Sequence, residues 1–296
     1  MRCPLLLGAV LAAGLAAVPA ASAATAVLYD TAGPVRTINR AGITGPKGAL
    51  HQAPARLVMS TRYRVSKVST GELTGLSAGQ MASLLKQRIR NCTIRGRNHR
   101  CSSNKVFVDE ITAAFNDRKG PRNGANLTRA MRMINSPSPF GGTWASRVHF
   151  YMAPNFGSAI AKGRGPNHNR GRDGKAHFPT WNKVMPALAL AGGVWIEVYH
   201  QGGQPFTRAE FRNAGKDVWS LIRRRGGSLN RLHFVMSRAT SRPAGAPRSC
   251  GNGMACQWKL ADTGSVNRQI VNNGVGAYGV GNQAGAWARQ YARRVG

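Results

Sequence analysis

Acidic residues are scarce in this chain. Its 296 residues include only 10 Asp and Glu against 42 Lys and Arg, which gives a formal net charge of +32. Such an excess argues against a neutral or cationic macromolecular partner and favours an anionic one. Hydrophobic residues make up 42% of the chain and aromatic residues 7%, so we expect a packed core rather than wholesale disorder.

Long hydrophobic runs are missing as well, apart from one near the N-terminus. That run, residues 5–18, follows Arg2 and precedes the small-residue motif Ala21-Ser22-Ala23. This order is typical of a secretory signal peptide, and the run is too short to cross a bilayer core about 30 Å thick. We therefore expect a signal peptide at 1–23, a secreted extracellular protein with no membrane span after cleavage, and a single domain at 24–296.

Cysteine is rare, and Cys3 would be removed with the signal peptide. The other four cysteines form two local pairs, Cys92 with Cys101 and Cys250 with Cys256. In an exported protein this spacing predicts two structural disulfides, each closing a short loop. A zinc site is the alternative, but neither pair has CxxC spacing and no His/Asp cluster lies nearby. We expect neither a metal nor another cofactor.

Short β-branched and aromatic runs alternate with segments of helical periodicity. The predicted strands are 26–30, 56–62, 105–111, 147–153, 193–200, 231–238 and 275–280, with a weak eighth near 257–260. Two predicted helices begin with capping boxes, at Ser77 and Thr207. Four further helices are predicted at 126–134, 181–190, 264–273 and 284–291. This alternation predicts a parallel sheet covered by helices, as in an α/β protein of the (β/α)8 TIM-type barrel class or a close variant.

A doubly wound open sheet is the main rival to the barrel. It would usually carry a glycine-rich phosphate turn after the first strand, and Asp30-Thr31-Ala32-Gly33 is not GxGxxG. The long strand-to-helix loops are 63–76, 112–123, 154–180 and 239–256. In a barrel these loops meet at the C-terminal face of the strands, where active sites are built.

The loop at 154–180 is strongly basic. Residues 161–175 carry a net charge of +4, with Arg170 and Arg172 among the cations. If the loop borders the site, these two arginines would attract and bind an anionic chain. The alternative is a solvated basic loop in a chain that is basic throughout.

Three of the acidic residues lie inside apolar strand runs, namely Asp109, Glu110 and Glu197. A carboxylate is costly to bury there unless it is paired or faces a wet cleft. Most of the others have surface assignments: Glu210 and Asp262 as helix caps, Asp217 as an exposed helix position, and Glu72, Asp117 and Asp173 as loop residues.

Side-chain alternation predicts which way these residues face. In the strand at 193–200 the aliphatic residues alternate with Trp195, Glu197 and Tyr199. The aliphatic face should pack under the helices, so the other face points into the barrel. The inward side chains predicted in this way are His149, Tyr151, Trp195, Glu197, Tyr199, His233, Ser237, and Asp109 or Glu110. Both of the last two are retained because a bulge at the strand end could exchange them.

Two carboxylates among aromatic side chains suit glycoside hydrolysis, in which one protonates the leaving oxygen while the other attacks the anomeric carbon or activates water. A secreted barrel with carboxylates ending two strands resembles the broad group of (β/α)8 glycoside hydrolases. In the largest clan of that group the acid/base ends the fourth strand and the nucleophile the seventh. Here Asp109 and Glu110 fall on the third or fourth strand, and Glu197 on the fifth or sixth. The catalytic candidates are therefore Glu197, Glu110 and Asp109, and the substrate-binding candidates are Tyr151, Trp195, Tyr199, His149 and His233.

A structural role for the carboxylates is the competing interpretation, with Arg62 or Arg238 as ion-pair partners. The corresponding function is a non-catalytic secreted barrel that binds polyanions at the cell surface. A nuclease would need a metal cluster or a His-based acid/base pair, and the sequence shows neither at a suitable spacing. A serine hydrolase is poorly supported because Ser237 lacks the G-x-S-x-G setting. We expect a monomer whose partner is an anionic polysaccharide or cell-wall polymer, with only non-specific binding of nucleic acid.

Overall fold

The structure is a computed structural model, and it describes residues 26–29, 47–50, 66–94, 97–99, 104–111, 115, 122–152, 178–200, 204–237, 242, 245–250 and 253–278. Several predictions lie outside these residues: the signal peptide at 1–23, the strand at 56–62, the helix at 284–291, and the positions of Arg62, Arg238, Arg170, Arg172 and Cys101. The side chains of Glu110, Ser237 and Cys92 also lie outside the described part.

One parallel sheet organises the described part of the chain. Its eight strands are β1 (Ala26–Tyr29), β2 (Lys47–Leu50), β3 (Ser66–Ser69), β4 (Val106–Ile111), β5 (Val148–Met152), β6 (Gly193–Glu197), β7 (Leu232–Ser237) and β8 (Val275–Tyr278). They are hydrogen-bonded in the order β2-β1-β8-β7-β6-β5-β4-β3. The first strand thus pairs in parallel with the last, with Val27 opposite Gly276. This circular order is that of a (β/α)8 barrel, which confirms the predicted fold class.

Two strands were missed and one was misassigned. The four-residue strands β2 and β3 are too short to show a clear alternation, and β3 falls inside the segment that was predicted to be the loop 63–76. The weak strand predicted near 257–260 is wrong, because these residues belong to the helix Gly253–Ala261. Met254, Trp258 and Ala261 are buried at helical spacing there, so the apolar pattern has a period near 3.6 rather than 2.

Helices follow most of the described strands and cover the sheet. They are α1 (Ala78–Arg90), α2 (Asn123–Met133), α3 (Phe178–Leu190), α4 (Arg208–Arg223), α5 (Gly253–Ala261) and α6 (Ser265–Asn272). Shorter elements are the helix Thr70–Leu73, the 3-10 turns Ala145–Arg147, Leu229–Arg231 and Arg248–Cys250, and the antiparallel pairs Cys92–Ile94 with Arg97–His99 and Tyr199–His200 with Gln204–Pro205. No helix in the described ranges has the length and hydrophobicity needed to cross a membrane.

Both predicted capping boxes are present. The Ser77 hydroxyl accepts a hydrogen bond from the Gln80 amide at 3.3 Å, and the Gln80 side chain accepts one from the Ser77 amide at 2.9 Å. Thr207 and Glu210 make the same reciprocal pair at the start of α4, at 3.2 and 2.6 Å. Each box satisfies two amides that the first helical turn would otherwise leave unpaired, which fixes where these helices begin.

The surface assignments of four acidic residues need correction. Glu210 caps α4 as predicted, but it is buried rather than on the surface. Asp262 does not cap a helix, because α6 begins after Gly264; its carboxylate instead lies 3.6 Å from the Arg268 guanidinium. Asp217 is half-buried rather than exposed. Glu72 belongs to the short helix at 70–73 rather than to a loop.

Two separate apolar clusters confirm the predicted alternation. The larger cluster lies between the sheet and the helices and contains the aliphatic faces of the strands, such as Val194, Ile196 and Val198. The smaller cluster consists of Phe107, Tyr151, Trp195, Tyr199 and Val235. Its members occupy the opposite strand face, and they therefore fill the barrel interior.

The disulfide between Cys250 and Cys256 is confirmed, with Cα atoms 4.9 Å apart. It joins the turn Arg248–Cys250 to the first turn of α5, and both cysteines are buried. The bond therefore fastens the end of the long loop after β7 to the helix layer.

Replacement of Gly215 by alanine is expected to destabilise the protein. Gly215 lies in α4, and a Cβ atom there would come within 2.3 Å of Asn267 Oδ1 and 2.7 Å of Ile270 Cδ1 on α6. Both neighbours are buried, so α4 and α6 would have to separate, at a cost of about 1–3 kcal/mol. Urea unfolding followed by circular dichroism measures this loss.

Gly79 of α1 is the matched control, because a Cβ atom there meets nothing within 4 Å. Gly79→Ala should raise the free energy of unfolding by about 0.5–1 kcal/mol through the lower entropy of the unfolded chain. Equal effects of the two substitutions would contradict the close α4–α6 packing.

Candidate active site

Four stacked rings occupy the early positions of neighbouring strands on the inner face. We call Phe107, His149, Trp195 and His233 the aromatic floor. Trp195 stacks on His233 with ring centroids 4.0 Å apart and planes 10° apart, and Phe107 stacks on His149 at 4.8 Å and 26°. The Trp195 indole N–H donates to His149 Nδ1 at 3.2 Å, which ties the two pairs together.

Gly193 makes room for this arrangement. A Cβ atom at this position would lie 2.3 Å from His149 Nδ1 and 3.1 Å from Trp195 Nε1. A larger residue at the start of β6 would therefore displace the His149 ring and break its hydrogen bond to the indole. The sequence signal for this arrangement is the pair Gly192-Gly193 at the start of β6.

Both histidines of the floor are neutral at physiological pH. Burial lowers the pKa of His149 well below its usual value, and the nearby cation Lys105 adds to the effect. Burial also lowers the pKa of His233 to about 3, against the opposing hydrogen bond between its Nδ1 and the Gly274 carbonyl oxygen at 3.3 Å. Because His149 Nδ1 accepts a hydrogen bond and His233 Nδ1 faces a carbonyl, the two rings have opposite tautomers.

The carboxylate candidates Asp109 and Glu197 occupy later positions on the same strands. Both are buried, with 6% and 7% of their surface exposed. Glu197 is the last residue of β6 and shares its strand face with Trp195 and Tyr199. The Tyr199 hydroxyl lies 2.7 Å from the Tyr151 hydroxyl. The polar groups therefore lie on the C-terminal side of the aromatic floor, toward the end where barrels of this class carry their sites.

Lys67 is a site residue that the sequence analysis missed. Its ammonium group forms an ion pair with the Asp109 carboxylate across the β3–β4 pairing, and both side chains are largely buried, at 11% and 8% exposure. The residue escaped notice because β3 itself was not predicted. The alternation around the buried Val68 in β3 was the available signal.

A bulge in β4 lies at the predicted acidic pair. Val108 is opposite Phe150 and Ile111 is opposite Met152, so two residues of β4 face the single Tyr151 of β5. The extra residue places the irregularity at Asp109 and Glu110, where the sequence left the inward residue open. With all strands in place, this pair lies on the fourth strand and Glu197 on the sixth.

Within the described ranges, no group of three or more His, Cys, Asp or Glu side chains is arranged to hold a metal ion. His149 Nδ1 accepts from the Trp195 indole and His233 Nδ1 lies against a backbone carbonyl. These contacts favour a packing or orienting role for the two histidines, and their role as substrate-binding residues stays a prediction.

The aromatic floor should make the protein sensitive to acid. The unfolded chain protonates His233 below pH 6.5, whereas the folded protein does so only near pH 3, so protons favour unfolding throughout this window. The free energy of unfolding should fall by about 1.4 kcal/mol per pH unit for this histidine alone.

His233→Phe keeps a ring on Trp195 but cannot titrate. Its stability at neutral pH should drop by about 1 kcal/mol, since the hydrogen bond to Gly274 is lost, while the slope of stability against pH becomes shallower. Urea unfolding at a series of pH values measures both quantities. An unchanged slope would show that His233 does not titrate as a buried neutral group.

Removing Lys67 should be much more costly than removing a surface cation. Lys67→Met leaves the buried Asp109 carboxylate without this ammonium group, and we expect a loss of about 3–5 kcal/mol in the free energy of unfolding. The double variant Lys67→Met/Asp109→Asn should recover much of it.

Arg88→Met is the control for this ion pair. It breaks a partly exposed pair with Glu72, at 2.5 Å, and should cost less than about 1 kcal/mol. If Lys67→Met costs no more than Arg88→Met in thermal or urea unfolding, the buried pair is not a significant source of stability.

Comparison with solved structures finds chains of similar fold. The chain is similar to a GH18 chitinase from Pseudoalteromonas aurantia, with a TM-score of 0.54 and 12% identity over 92% of this chain and 100% of that one. It also matches an endo-beta-N-acetylglucosaminidase from Cordyceps militaris, with a TM-score of 0.48 and 12% identity over 93% and 91% of the two chains. No protein-family model and no curated protein sequence matches. The chain therefore has a glycoside-hydrolase-like (β/α)8 barrel fold.

Proposed function

We propose that this chain is a secreted glycosidase that acts on an anionic or cell-wall-associated polysaccharide through carboxylates near the ends of barrel strands. One observation carries the proposal. Asp109 and Glu197 are buried on β4 and β6, on the inner strand faces, beyond the aromatic floor and toward the C-terminal end of the barrel. Carboxylates in this position can flank a sugar bond from two sides.

The surroundings of the two carboxylates suggest different roles. The Lys67 ammonium group stabilises negative charge on Asp109, which suits a group that attacks the anomeric carbon, activates water or stabilises an oxocarbenium ion. Glu197 lies on a face with two aromatic side chains, and we assign it the protonation of the leaving oxygen. Glu110, one residue further along the bulge, is the alternative to Asp109 as the group that attacks the anomeric carbon or activates water.

The nature of the substrate follows from the ring-lined interior and the overall charge. Tyr199 lies on the C-terminal side of the aromatic floor, and its ring is proposed to pack against the apolar C–H face of a sugar. Trp195 is fully buried and stacked on His233, so it is proposed to support this layer. The net charge of +32 favours an anionic polymer, and Arg170 and Arg172 in the long basic loop are proposed to attract it. The structurally similar protein from Pseudoalteromonas aurantia is named a GH18 chitinase, which supports a polysaccharide as the substrate class.

Glu197→Gln should abolish the release of reducing ends while leaving the fold intact. Loss of a general acid lowers turnover by about 10²–10⁴-fold, whereas an isosteric amide at a strand end should change the melting temperature little. The assay is reducing-end formation from acidic and neutral polysaccharides, with thermal unfolding of the same samples. Asp262→Asn, which alters a carboxylate paired with the exposed Arg268, is the control and should retain full turnover. Undiminished turnover in folded Glu197→Gln would remove this residue from the mechanism.

A non-catalytic polyanion-binding barrel is the second candidate. The Lys67–Asp109 pair favours it, because a carboxylate neutralised by a lysine can be a structural element of a barrel interior. In that case the wild-type protein would release no reducing ends. Its binding to acidic polymers would weaken steeply with salt and would be unchanged in Glu197→Gln.

A further inference from the structure

A cavity of about 430 Å³ lies outside the aromatic interior, and nothing in the proposed reaction uses it. It is lined by Thr207, Arg208, Ala209, Arg212 and Gly245, and we call it the arginine cavity. Four of these residues precede or open α4, which follows β6, and the fifth belongs to the segment after β7. Connections that follow strands meet at the C-terminal end of a barrel, so the cavity lies at the same end as Glu197.

The described lining of the cavity presents two arginines and no acidic residue. Arg208 and Arg212 are exposed and one helical turn apart, so their side chains project from the same side of α4. In the part of the chain that the structure describes, neither guanidinium group is paired with a carboxylate. Glu210, which lies between them in sequence, is buried, and its carboxylate accepts the Thr207 amide at 2.6 Å.

The capping box occupies two of the amides at the start of α4. The Thr207 hydroxyl already accepts the Glu210 amide, and the Glu210 carboxylate already accepts the Thr207 amide. Two amides of the first turn are therefore occupied, and the two arginine side chains supply the positive potential of the cavity.

Gly245 keeps the other wall of the cavity low. Its backbone has φ +72°, in the left-handed region that favours glycine, and a Cβ atom there would lie 4.0 Å from Arg208 Cβ. At this position the lining is therefore bare backbone, which leaves the space beside Arg208 open.

We propose that the arginine cavity binds an acidic group, a uronate carboxylate or a sulfate ester, of a polysaccharide chain that extends beyond the barrel mouth. The planar guanidinium fork matches the two oxygens of a carboxylate in a bidentate pair. This inference rests on the proposed glycosidase function and adds a binding subsite to it. A single-stranded nucleic acid fits less well, because such binders present exposed aromatic rings for stacking. Among the large hydrophobic residues in the described ranges, the exposed one is Met133, which has no aromatic ring to stack on a base.

The test uses the full mature chain and two defined probes, a trimer of galacturonic acid and its carboxyl-reduced, uncharged counterpart. Arg208→Gln/Arg212→Gln should weaken calorimetric binding of the acidic trimer by about tenfold or more, because charge-assisted hydrogen bonds are lost. Binding of the uncharged trimer should not change. The control Lys216→Gln/Arg223→Gln removes the same charge from the same helix outside the cavity lining, and its effect should stay within about twofold.

Equal losses in the two double variants would overturn the subsite, since general attraction by a basic protein would then explain the binding. Tighter binding of a single-stranded DNA oligomer, with the same dependence on Arg208 and Arg212, would overturn its assignment to polysaccharide.

Reducing-end assays separate this proposal from the one on which it rests. Arginine-dependent binding of the acidic trimer without any wild-type turnover would overturn the glycosidase and retain the cavity as a binding site. Wild-type turnover that is lost in Glu197→Gln, together with acidic-trimer binding unaffected by the arginine substitutions, would retain the enzyme and overturn the subsite.

Discussion

Each barrel strand has to bury two faces in different surroundings, and the remaining features of the site depend on this constraint. The helix-facing sides of the strands are filled by aliphatic residues such as Val194 and Ile196, which leaves them no room for polar chemistry. The candidate residues Asp109 and Glu197 therefore share the narrow inner face with the aromatic floor. The stacked rings fill the inner face at the N-terminal ends of the strands, and the carboxylates lie nearer the C-terminal ends. The barrel interior is therefore apolar at one end and polar at the other.

The titratable side chains considered above in the barrel interior add little net charge there. The two histidines of the floor are held neutral by burial, so they add no charge to the apolar end. Lys67 enters the interior beside a carboxylate, and the pair is neutral as a unit. The cations at the cavity on α4 are solvated, where their charge costs little and acts on anything that approaches. A scarcity of acids is thus compatible with a stable core, because the acids that are buried have defined surroundings.

Regular features were predictable from sequence, and irregular or very short ones were not. The capping boxes at Ser77 and Thr207 were predicted because they are local, needing only residues three positions apart. Strand β3 was missed because four residues carry too little periodicity, and Lys67 was lost with it. Asp262 was misassigned since Gly264 can precede a helix without any side-chain cap. The inward direction of Glu197 was predictable, but its neighbours across the barrel depend on strand register, which a single sequence does not encode.

The bulge in β4 explains how two consecutive acids can lie in a buried strand at all. In a regular strand, one of any two adjacent side chains must face the helix layer, and a carboxylate there would meet only aliphatic groups. The extra residue lets Ile111 take the helix-facing position after Val108, so that neither acid is required to fill it. Deleting one residue between Val108 and Ile111 would restore ideal pairing and leave a single acid. The irregular strand is thus the condition for having an acidic pair here, and straightening it would leave one carboxylate of the two on this strand.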